Sequence, residues 1–178
     1  VSERRVSSFD VEASPAGLDS VVLAMPLGDR VLRFLREAEH GGLRPMFQPV
    51  VALADGAIPA HELLTHRAAQ GEGRTAALFV AAAGVGAAAV LALRCIEIGI
   101  DRYRTAGADG RLFVKLPPAG AVMLAAALDD FLLWLHRRTL NADRVVIELM
   151  EYEASDASTD VESAVIQLRA HGFGIALN

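Results

Sequence analysis

The sequence predicts an α/β fold in which a mostly parallel sheet curves into a barrel, and two observations carry that prediction. Five short apolar segments read as strands: Phe47-Gln48-Pro49-Val50-Val51, Ala60-His61-Glu62-Leu63-Leu64, Leu112-Phe113-Val114-Lys115-Leu116, Val145-Val146-Ile147-Glu148-Leu149 and Gly174-Ile175-Ala176-Leu177-Asn178. Helix-length stretches alternate with them, as strand-crossover-strand units require. Near the ends of four strands stands one polar residue that a buried strand should not contain: Glu62, Lys115, Glu148 and Asn178. In an α/β barrel the C-terminal strand ends build the site and the opposite ends serve packing, so these four side chains are expected at one mouth.

Each element has its own warrant. Residues 1–25 carry serines, acids and a Pro15-Ala16-Gly17 step without periodicity, and read as a flexible tail or linker before a domain at 26–178. A first helix fits 29–40, with Val31, Leu32, Leu35 and Ala38 on one face and His40 closing it before Gly41-Gly42. The apolar run 76–93 lies between Arg74 and Arg94; Gly84 and Gly86 predict a break, with a helix resuming near Ala87. Because most of that run is Ala or Gly, its drive into lipid is weak and no membrane insertion is expected. A helix over 122–138 presents Leu124, Leu128, Leu132 and Leu135, and Trp134 is read as core. The last helix starts at a capping box, Thr159 with Glu162, and stops before Gly172.

Composition bounds the function. The chain has 178 residues and is 53% hydrophobic, enough for one core and too apolar for general disorder. A net charge of −5 without a Lys/Arg cluster argues against a nucleic-acid surface. The lone Cys95 makes no internal disulfide, and the first residues show no signal peptide, so a cytoplasmic setting is expected. His61, His66, His136 and His171 lack metal-ligand spacing.

The strand motifs resemble the EAL domain, a barrel family that hydrolyses the bacterial messenger cyclic di-GMP. Phe47-Gln48-Pro49-Val50-Val51 followed by Glu62-Leu63-Leu64 is similar to its opening, Ile147-Glu148-Leu149-Met150-Glu151 to its second acidic strand, and the run from Leu168 to Asn178 to the approach to its paired aspartates. The resemblance implies a partial TIM-like (β/α) barrel of the EAL type, lacking the last strands and helices. It also implies a ligand site drawn from Gln48, Glu62, His66, Lys115, Glu148 and Asn178, with Glu62 and Glu148 as vestigial metal ligands.

Departures from the family pattern point away from catalysis. The family's two-cation mechanism uses carboxylates and an asparagine; Lys115 falls at the asparagine position, and an ammonium has no lone pair for a cation. Asn178 stands where an aspartate is expected, and His66 where a phosphate-gripping arginine is expected. Lys115 between two carboxylates is a built-in substitute for the cation: at an effective dielectric of about 20, a pair about 4 Å apart gains roughly 4 kcal/mol before desolvation. The expected function is a catalytically inactive regulatory module acting through protein contacts, with residual cyclic di-GMP binding. The alternative is a metal-dependent cyclic di-GMP phosphodiesterase of which this is an incomplete piece. No cofactor is expected, with Mg or Mn entering only under the alternative. A protein partner or second copy is expected to cover the open barrel face.

Overall fold

A computed structural model describes residues 20–40, 42–67, 74–150 and 159–177. Asn178 and residues 1–19 of the expected tail lie outside the described residues. Five strands, β1 (Leu43–Val50), β2 (Ala60–Arg67), β3 (Arg111–Leu116), β4 (Val145–Leu149) and β5 (Gly174–Leu177), form one sheet in sequence order. The β1–β2 pair is an antiparallel hairpin, and every later pair is parallel. The partial barrel and its mixed α/β layering are as the sequence predicts. β1 lies at the edge of this sheet, a position compatible with Pro45 and Pro49, which lack an N–H to donate.

One face of the sheet is dry. Leu63, Leu112, Val114, Leu116, Val145, Ile147 and Leu149 belong to the same core cluster as the helices. The helices are α1 (Val21–Ala24), α2 (Asp29–His40), α3 (Arg74–Gly84), α4 (Ala88–Thr105), α5 (Pro118–Ala126), α6 (Leu128–Arg137) and α7 (Thr159–Ala170). Side chains alternate along a strand. The residues between those core positions therefore face the other way, and this inner face carries the polar strand residues.

Buried on nearly all sides, α4 is the spine of the helical layer, with Leu91, Leu93, Ile96 and Ile100 at 3% exposure or less. It contains Gly99 because an added Cβ there would lie 2.3 Å from Leu63 Cδ2 of β2. Arg94 and Glu97 are also buried in this helix, and they survive there as a network. The Arg94 guanidinium donates from Nη1 to Glu97 at 2.8 Å and from Nε to Glu39 of α2 at 2.5 Å. Glu97 also accepts from the Ser20 hydroxyl at 2.6 Å and the Val22 N–H at 3.1 Å. Burial opposes the Arg94 charge, but the bonds to Glu39 and Glu97 outweigh it and hold its pKa above the ordinary value.

Two expectations are revised. Val22 is 2% exposed and, with Ser20, hydrogen-bonded to Glu97, so these two residues of the expected tail are held against α4. The single helix expected over 122–138 is two helices, α5 and α6, bent by 82° at Ala127. Asp129 and Asp130 sit in the first turn of α6, where a new helix N-terminus favours anions. The apolar run 76–93 divides into α3 and α4 around Gly86, whose φ is +71°, and no single described helix is long and apolar enough to cross a membrane.

Candidate functional site

The polar strand residues reach one face because the register aligns them. Gln48 pairs with Glu62, Glu62 with Phe113, and Lys115 with Glu148. Directly opposed residues share a face, as do residues two apart in a strand, so Gln48, Glu62, Lys115 and Glu148 all lie on the inner face. His66, four residues beyond Glu62 on β2, shares it. Asn178 was expected to complete this set and lies outside the described residues.

Lys115 Nζ stands 2.8 Å from Glu62 Oε1, with the side chains 38% and 25% exposed. The hydrogen-bonded ladder between β2 and β3 ends at Glu62↔Phe113, two residues before Lys115. The ammonium reaches diagonally from one strand to the next. Glu148 lies on its other side, and its Oε2 is buried with no hydrogen-bond partner among the described residues. Burial, reinforced by the neighbouring Glu62 charge, raises the Glu148 carboxyl above its ordinary pKa, while Lys115 pulls it down. The site is one ammonium between two carboxylates, one of them directly paired.

Whether these residues suit a divalent cation is decided by the donor set. The orphaned Glu148 oxygen is the kind of acceptor a cation would take. Against it, Glu62 is already held by an ammonium, which has three donors and no lone pair. No group of three or more His, Cys, Asp and Glu suited to a metal occurs among the described residues. Among the described residues, the set offers one carboxylate already held by an ammonium and one orphaned carboxylate oxygen. A surface concavity of about 490 Å³ along α2, lined by Asp29, Leu32, Arg33, Arg36, Glu37 and His40, shares no residue with this cluster.

Two features escaped the sequence reading. Arg44 of β1 pairs with His66 and therefore stands on the inner face at its upper rim, where it is exposed. Counting back from Gln48 in twos would have found it. The Arg94–Glu97–Glu39 network was signalled only by two charged residues inside an apolar helix, which must be paired to be buried. Two histidines behave as packing or capping groups: His61 Nδ1 lies 3.2 Å from the Tyr103 hydroxyl, and His40 Nδ1 lies 2.6 Å from the Arg36 carbonyl oxygen. Cys95 is buried, which pushes its thiol up to about 12.

The family model of the EAL domain matches residues 32–178. Among solved structures, the FimX EAL domain superposes with a TM-score of 0.65 at 21% identity, covering 85% of this chain and 63% of that one. Klebsiella pneumoniae BlrP1, as a calcium and cyclic di-GMP complex, gives 0.65 at 19% identity over 76% of this chain and 34% of its own. The same protein with FMN and cyclic di-GMP and no metal ions gives 0.62 at 18% identity, over 75% and 33%. The PaMucR phosphodiesterase in complex with cyclic di-GMP gives 0.61 at 22% identity, over 76% and 58%. The chain thus spans less than two thirds of each of these proteins. No curated protein matches the chain.

Proposed function

Because the chain belongs to the EAL domain family, we propose that it is a catalytically silent EAL module of cyclic di-GMP signalling, acting through protein contacts and binding the dinucleotide without divalent cations. The observation that carries this reading is the 2.8 Å ion pair between Lys115 and Glu62, with Glu148 in register on the far side of the ammonium. Metal activation of a water needs lone pairs at the cation and free carboxylates around it. Here a fixed ammonium supplies the positive charge, and a cation would have to break the Glu62 pair to enter.

Binding without metal has support from a relative, since BlrP1 has been solved with cyclic di-GMP and no metal ions. What remains on this face is a polar surface able to orient a ligand, with Gln48 opposite Glu62 and His66 at the rim. The exposed Met46 and Val50 of β1, 39% and 40% accessible on the same face, support coverage by a protein partner or second copy.

The test is calorimetric titration of the chain with cyclic di-GMP in EDTA and in magnesium, with product analysis in manganese and mass by light scattering. The expected result is binding indifferent to EDTA and no hydrolysis. Turnover with manganese would establish the phosphodiesterase reading instead, for which the orphaned Glu148 oxygen is the favourable observation.

A further inference from the structure

The fold gathers arginines that lie far apart in the sequence. Strands β2 to β5 run parallel, so their starts share one end of the sheet, and the β1–β2 turn lies there too because Val50 pairs with Ala60. The last turns of α4 and α6 come to the same end: Arg104 Nη2 donates to the Thr139 hydroxyl at 2.9 Å, and Arg144 Nε to the Gly110 carbonyl at 3.0 Å. The segments that meet there, 50–59, 101–111, 136–144 and 169–172, hold seven arginines against four aspartates, a net charge of +3 in a chain whose total is −5. The bonds of Arg104 go to neutral oxygens of Arg138 and Thr139, which leave its charge uncompensated. Arg111 is exposed at the start of β3 and makes no ion pair among the described residues.

An apolar turn stands at the same end. Leu53 is fully exposed, and Val51 and Ile58 beside it are each 50% exposed. The turn is fixed by its own backbone: the Ala52 N–H donates to the Ala57 carbonyl at 2.8 Å, the Gly56 N–H to the Ala52 carbonyl at 2.9 Å, and Gly56 takes a φ of +72°. Asp55, the one charge of the turn, accepts from the Ala57 N–H at 3.0 Å. Backbone groups closed on one another lower the cost of leaving water. A nucleic acid or an acidic peptide would use the arginines and leave Leu53 in solvent, and an apolar protein groove would leave the arginines idle. An anionic bilayer uses both, its headgroups meeting the guanidiniums and its acyl boundary taking the turn. We infer that this end of the sheet docks the chain peripherally on an anionic membrane surface, with Val51, Leu53 and Ile58 entering the interface. Lys115 and Glu148 lie toward the opposite ends of their strands, so the docked chain holds its polar cluster away from the bilayer.

The experiment is co-sedimentation of the full chain with phosphatidylcholine vesicles, with and without phosphatidylglycerol, comparing wild type, Leu53→Ser, Arg111→Gln and Arg36→Gln. Arg36 is an exposed arginine one turn from the end of α2, which leads into the opposite end of the sheet, and serves as the control. Wild type should bind the anionic vesicles and be released by high salt. Leu53→Ser should weaken that binding about tenfold, Arg111→Gln about fivefold, and Arg36→Gln not at all. Because Leu53 is fully exposed, its substitution leaves the core intact, and Leu53→Trp gives a second reading: its emission should shift blue on anionic vesicles, whereas the buried Trp134 of wild type should not respond. No binding by wild type, equal binding to neutral vesicles, or full affinity in Leu53→Ser overturns the inference. So does tighter binding to heparin that ignores Leu53→Ser, which assigns the arginines to a soluble polyanion. A dimer in solution that Leu53→Ser dissolves also overturns it, by assigning the turn to a second copy.

Discussion

Replacing Lys115 by Met keeps most of the side-chain stem and removes the ammonium, so it isolates the charge that separates Glu62 from Glu148. At an effective dielectric of about 20, a pair about 3 Å apart would gain roughly 5–6 kcal/mol. Lys115 is 38% exposed, however, and solvent screening brings pairs at such positions toward about 1 kcal/mol. Repulsion between the two stranded carboxylates adds to that loss, giving about 1–2 kcal/mol at pH 7. For a chain of this size, that lowers Tm by about 3–7 °C. The pH dependence has a definite sign. Burial and the Glu62 charge raise the Glu148 pKa in the folded state, so the folded chain holds that proton to higher pH than the unfolded chain. Its contribution is greatest in acid and is lost as pH climbs through the folded pKa. Without Lys115 the loss steepens. Thermal melts from pH 3.5 to 7.5 at low salt should show the two proteins converging in acid and diverging toward neutrality. An equal or higher Tm for Lys115→Met at pH 7, or a gap that widens in acid, would refute the reasoning.

Four further perturbations probe the scaffold. Glu97→Ala strands the buried Arg94 with only part of its network and should cost about 3 kcal/mol or more in urea unfolding; Ser20→Ala should cost about 1 kcal/mol, and no effect would mean that the Ser20 hydroxyl does not hold Glu97. Gly99→Ala drives a methyl against Leu63 and should destabilise by about 1–3 kcal/mol, whereas a neutral result would show that β2 and α4 yield freely. Cys95 should resist thiol reagents at pH 8 until denaturant is added, because burial holds its pKa at about 12; rapid stoichiometric labelling of the folded chain would contradict that burial.

The site was partly legible because a charge in an apolar strand breaks a strong pattern. Glu62, Lys115 and Glu148 announce themselves against Leu, Val and Ile neighbours, and parallel pairing leaves few ways to align them. Arg44 gave no such signal. It sits in an edge strand with prolines and exposed residues, where a charge is ordinary, and its significance comes from a register that pairs it with His66 across the hairpin. The bend at Ala127 was hidden for a related reason: apolar periodicity continues across it, and only the acids at 129 and 130 mark a second helix start. The Arg94 network joins segments 55 residues apart on one side through Glu39, and Glu97 reaches 77 residues to Ser20, so no local reading could assemble it.

The long-range contacts converge on α4. Gly99 lies two residues from Glu97 and meets Leu63, the neighbour of Glu62, so α4 touches both the bonded N-terminal segment and the strand that carries the site. Close packing transmits displacement because interiors have few voids to absorb it. Residues 20 and 22 and strand β2 thus meet the same helix, two residues apart along it.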